Sequence, residues 1–168
     1  MGHYVLAEFL IGRGRYAESA RVIDAGLREA ESLGENAIRV DLALLAAYLE
    51  LRRDNAAGAL RHAESAGAAA PALLDPEYDA LALHMQGLAL LAQGRAEAAA
   101  DIARRLQALE TATGMAKLRR HYYHLSAAMA LRRGDPRRAA ALIELALPLL
   151  DWRSEEHTSE LQSRQSTS

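Results

Sequence analysis

Apolar side chains recur along the chain every three or four residues, in runs broken by short turns. Leu118, Tyr122, Leu125 and Met129 share one helical face before such a turn, and Ala139, Leu142, Ile143, Ala146 and Leu150 share one after it. Read this way, the pattern predicts eight helices, over residues 3–13, 16–33, 36–53, 56–69, 76–93, 96–112, 116–133 and 136–150. Asp75-Pro76 and Asp135-Pro136 each supply an N-cap acceptor followed by proline at the first helical position, where its missing N–H does no harm. Gly34 and the Ala-rich stretch ending at Pro71 mark helix ends. Connections this short make successive helices antiparallel neighbours.

The helices come in similar pairs. LRRDNAAGALRHAESA, Leu51–Ala66, aligns without a gap on LRRGDPRRAAALIELA, Leu131–Ala146, and halving that offset of 80 finds two further copies, from Gly12 and Ala92. The turn residues Gly14, Asp54, Gly94 and Gly134 are 40 apart each time. Small residues keep phase with the turn: Ala7, Ala47, Gly87 and Ala127 before it, then Ser19, Ala59, Ala99 and Ala139 after it. Further on come Gly26, Ala66, Leu106 and Ala146, and just before the turn Ile11, Leu51, Leu91 and Leu131. Helices approach closely only where side chains are small, so such columns mark where the helices cross.

These residues resemble the tetratricopeptide repeat, in which a small residue sits late in the first helix, Gly marks the turn and two Ala positions mark the second helix. The correspondence runs through Gly87, Gly94 and Ala99 in the third unit and Ala127, Gly134, Ala139 and Ala146 in the fourth. It covers about residues 3–151. The period of 40 exceeds the usual ~34, and the large aromatic early in the first helix is present only as Tyr123. HEAT and armadillo units match the period on length, but their first-helix proline kink is missing here. The resemblance implies an all-α, right-handed α-solenoid of four antiparallel helix pairs. The pairs span about 1–34, 35–71, 75–113 and 115–151 within one helical domain of residues 1–152.

Composition agrees with close helix packing, being 51% apolar but only 5% aromatic. The net charge of -2 gives no bulk reason to expect nucleic acid or an anionic membrane as partner. The absence of cysteine excludes disulfides and thiolate metal sites and fits a reducing, cytoplasmic setting. No apolar run is long enough to span a bilayer.

Catalytic signatures are missing: there is no P-loop, GxSxG or HExxH pattern, and Gly12-Arg13-Gly14 follows a helix rather than a strand. No cofactor is expected. His121 and His124 share a helix face, and His84 lies 40 residues before His124. Three imidazoles there could bind Zn²⁺ or Ni²⁺, but without an evident carboxylate or cysteine to complete a ligand set no metal is expected. The arginine pairs beside the turns, such as Arg52/Arg53 and Arg132/Arg133, are explained by cations meeting helix C-termini.

In stacked helix pairs the first helices line the concave side. By the resemblance, that side carries Tyr4, Leu44, His84 and His124, then Glu8, Tyr48 and Leu88, with Arg52 and Arg132 near the turns and Asp41 and His121 near the helix starts. Aromatic and aliphatic area with Arg and His for orientation suits an extended peptide or a partner's helix. The expected function is a protein-interaction scaffold, part of a larger bacterial regulatory or signalling protein. The alternative is an effector-sensing domain that binds a small molecule inside the superhelix.

Residues 153–168 differ in character, being rich in Ser, Thr, Glu and Gln. Back-translated, Arg153 to Ser163 resembles the adapter ligated to fragments in short-read DNA sequencing, which makes this tail non-native. Leu145, Leu147, Leu149, Leu150 and Trp152 are then left without a covering element. The expectation is a fragment of a longer array that self-associates through its uncovered C-terminal end.

Overall fold

The computed structural model describes residues 2–150. Trp152 and the adapter-like segment lie outside them. The described chain is all-helical, with eight α-helices: α1 (Gly2–Gly12), α2 (Tyr16–Leu33), α3 (Asn36–Arg52), α4 (Ala56–Ala69), α5 (Pro76–Ala92), α6 (Ala96–Thr113), α7 (Arg119–Arg132) and α8 (Pro136–Ala146). Short 3₁₀ turns follow α4 (Ala70–Leu73), precede α7 (Ala116–Leu118) and follow α8 (Leu147–Leu150).

Most helix limits fall within a residue or two of those the periodicity predicts. The expected helix 136–150 is an exception, because its α-helical part stops at Ala146. Pro148 has no N–H to give the carbonyl four residues back, and its ring crowds that carbonyl, so the chain tightens into a 3₁₀ turn. Pro71 sits in the 3₁₀ turn after α4 in the same way. The expected helix 116–133 begins as a 3₁₀ turn and becomes α-helical only at Arg119.

The four turns at residues 14, 54, 94 and 134 are alike in atomic detail. Each places that residue at positive φ: 72° at Gly14, 58° at Asp54, 74° at Gly94 and 76° at Gly134. The N–H of the next residue returns five residues, from Arg15 to Leu10, Asn55 to Glu50, Arg95 to Leu90 and Asp135 to Ala130, at 2.8–3.0 Å. This is a Schellman closure, which satisfies carbonyls the helix end would otherwise leave open. Asp54 occupies the left-handed region without glycine's freedom; a short polar side chain is the type that tolerates it. Asn55 and Asp135 then cap α4 and α8, accepting from Gly58 N at 3.1 Å and Arg138 N at 3.0 Å.

Each helix packs on its neighbours in sequence, and the odd-numbered helices also meet one another, α1 with α3, α3 with α5 and α5 with α7. Among the described residues no comparable packing joins α2 to α4, α4 to α6 or α6 to α8. The small residues sit where helices touch: Ala7, Ala47, Gly87 and Ala127 are buried, as are Ser19, Ala59, Ala99 and Ala139. The Ser19 hydroxyl donates to the Ala7 carbonyl at 3.0 Å, so its burial leaves no orphan group. A Cβ on Gly87 would overlap the Leu125 side chain.

Candidate functional site

The side shared by α1, α3, α5 and α7 carries most of the molecule's unusual polar chemistry. Near the helix starts a polar row crosses all four helices. Tyr4 on α1 is half-buried, and burial raises its phenol pKa, with the charges of Glu8 and Asp41 adding to the effect. Burial also raises the Asp41 carboxyl, opposed by hydrogen bonding from the Tyr78 hydroxyl on α5. Farther along, Glu77 of α5 meets three basic side chains from the α7 side. Its Oε1 takes a hydrogen bond from Arg120 and lies 3.0 Å from His121 Nε2, while Lys117 Nζ is 3.8 Å from Oε2. Burial pushes the Glu77 carboxyl up, but the His121 bond and the charges of Arg120, His121 and Lys117 outweigh it and hold the pKa below the usual value. Glu77 Oε2 is buried and accepts no hydrogen bond from the described residues.

One helical turn on, His84 Nε2 and His124 Nδ1 are 2.7 Å apart, so one ring donates to the other. The His84 ring lies edge-on to His124, with centroids at 4.9 Å, and 5.3 Å from the His121 ring. Burial, then the neighbouring His121, His124 and Arg120, push the His84 pKa down to about 3; burial and His121 lower that of His124. His84 is therefore neutral at pH 7. The stacking of His84 with His124 and the closeness of His121 follow the 40-residue spacing. Glu77 stands beside His121, a neighbour that the 40-residue spacing does not point to. These groups nevertheless do not converge on a common point, and no cluster of three or more His, Asp or Glu side chains placed to hold a metal occurs among the described residues.

The remaining predicted residues divide in two. Tyr48 and Arg52 stand exposed on α3 near its turn, where Arg52 Nη2 lies 3.5 Å from the Tyr16 hydroxyl, and Glu8 and Arg132 are also exposed. Leu44 and Leu88 are half-buried against neighbouring helices, Leu44 in clusters with Ala66 and Met85, and Leu88 in one with Ala63. His121 is buried. Several turn arginines are engaged locally, Arg15 with Glu18 at 2.5 Å, Arg53 with Glu50 at 2.8 Å and Arg13 over the Phe9 ring.

Glu77, Tyr78, Lys117 and Arg120 are members of the polar row that periodicity misses. Their signal is diagonal: Glu77 lies 44 residues before His121, not the 40 that separate His84 from His124. On the opposite side, open grooves lie between the even-numbered helices. One of about 440 Å³ includes Leu27, Arg39 and Ser65, and another of about 660 Å³ includes Gly67, Asp79 and Arg105, the same three positions 40 residues later. No helix of the described chain is long and apolar enough to cross a membrane. Compared with protein-family models, curated proteins and solved structures, the chain has no match.

Proposed function

We propose that the chain is a protein-interaction module of tetratricopeptide-like helix pairs, within a larger regulatory or signalling protein, and that it binds an extended peptide or a helix along the side formed by α1, α3, α5 and α7. The observation that carries this reading is the direct packing of the odd-numbered helices on one another, which makes one continuous surface from four separate segments. Supporting it, the turns at residues 14, 54, 94 and 134 share one geometry, and small residues 40 apart are buried in every pair. The surface offers Tyr48 and Arg52 for contact area and orientation, and neutral imidazoles at His84 and His124 for hydrogen bonding.

A displayed random-peptide library selected on the protein tests this. Peptides should be enriched, and the double variant Tyr48→Ala/Arg52→Ala should lose them, about 10-fold or more in affinity for contacts worth 1–2 kcal/mol, with helical content unchanged. Enrichment that survives the double variant overturns the choice of surface.

A further inference from the structure

Interior junctions and chain ends bear the same side-chain columns in opposite states. At the first junction Leu45, Ala46 and Leu49 of α3 pack against Ala7, Ile11 and Ile23 of the preceding pair. One pair on, Met85 packs against Ala47 and Ala63, with Leu51 beside them. At the third junction Leu125 joins Leu91, Ile102 and Ala103, and reaches toward Gly87. Each junction thus consists of an apolar edge on the first helix of one pair, received by an apolar socket on the pair before.

The edge occurs once more, without a socket among the described residues. Val5, Leu6 and Phe9 on α1 lie 40 residues before Leu45, Ala46 and Leu49. Val5 is 63% exposed where Leu45 is 6%, and Phe9 is 54% exposed where Leu49 is 2%. The socket also occurs once more, without an edge among the described residues. Leu131 is 59% exposed where Ile11 is 5%, and Ile143, in the place of buried Ile23, is exposed as well. Leu147 and Leu150 widen that open face.

We propose that these are the two halves of one junction and that a second copy of this chain docks head to tail, Val5, Leu6 and Phe9 of one copy seating on Leu131 and Ile143 of the next. Within the chain the equivalent columns meet three times, always edge against socket. Contact between two sockets has no such precedent. A heterologous contact leaves one edge and one socket free, so association continues with concentration unless a ring closes.

Sedimentation velocity of the full chain across a wide concentration range tests the proposal, with two variants. Val5→Glu/Phe9→Glu breaks the edge and Leu131→Glu/Ile143→Glu breaks the socket; these side chains are already exposed, and far-UV circular dichroism checks that helicity is kept. The unaltered chain should grow in mass with concentration and each variant alone should stay monomeric. Their equimolar mixture should form a dimer that grows no further, because only one intact edge meets one intact socket. A chain that is monomeric at every concentration overturns the proposal. So does an edge variant that associates as strongly as the unaltered chain, which would mean socket meeting socket. So does association that appears only when the chain is ended at Leu150, which would assign the socket to residues 151–168.

Discussion

Asp41 and Glu77 are both partly buried carboxylates near the start of an odd-numbered helix, yet their pKa values move in opposite directions. Asp41 faces phenols, Tyr4 and Tyr78, so burial dominates and its pKa rises. Burial raises Glu77 too, but hydrogen bonding from His121 and the charge of its basic neighbours together outweigh it, and its pKa falls. The backbone setting is similar, since α1, α3, α5 and α7 meet in succession through columns of small and aliphatic residues. The sizes of side chains at the crossings are tightly constrained, whereas the row one turn toward the open side is free to take on different chemistry. Specificity for a partner would reside in that row.

The crossing itself should be the most sensitive part. Leu125→Ala removes a fully buried side chain from the α5–α7 junction and should cost about 2–5 kcal/mol in urea unfolding followed by circular dichroism. Gly87→Ala should also destabilise the unaltered chain by about 1–3 kcal/mol, because the new Cβ meets Leu125. In the Leu125→Ala background the same change should become neutral or favourable, as helix propensity alone predicts. Two additive losses would refute the contact as the cause.

Exchanging the carboxylates comes next. Glu77→Gln leaves Arg120 and Lys117 without their anion in a half-buried setting and should cost about 1–3 kcal/mol at pH 7. Asp41→Asn removes a charge that burial disfavours and should change stability by less than about 1 kcal/mol, toward stabilisation. Equal losses from the two substitutions would abolish the contrast.

A further expected effect is a pH dependence carried by His84 and His124. His84 and His124 have folded pKa values below the ordinary 6.5, so above that value they are neutral in both states and carry no penalty. As the pH falls below 6.5 the unfolded chain takes up protons that the folded chain resists, and stability declines. Between pH 6.5 and pH 5 the loss should be about 1–2 kcal/mol, with Glu77 still ionised because its own pKa is lowered. His84→Gln should flatten most of this slope; an unchanged slope would place the titrating group elsewhere.

Much of the helical organisation is legible without coordinates. Gly14, Gly94 and Gly134 announce their turns because only residues that tolerate positive φ can close a helix this way. Asp54 is legible only by its register with them, since nothing local marks it as left-handed. The columns through Ala7 and Ser19 are legible because helices that cross closely exclude larger side chains. Pro148, by contrast, is plain in the sequence, and its interruption of α8 is missed by apolar spacing alone, because spacing carries no information on which N–H groups are present.

By itself, then, the sequence determined the helices, their turns and the positions where they approach, since these depend on backbone conformation and side-chain size within one period. Only the tertiary structure decided that Glu77 would meet His121 and Arg120, that Asp41 would face phenols instead of cations, and that Val5, Phe9 and Leu131 would be left exposed. Those outcomes depend on how far one helix slides and tilts against the next. A shift of a single helical turn changes every cross-helix partner while leaving the hydrophobic pattern intact.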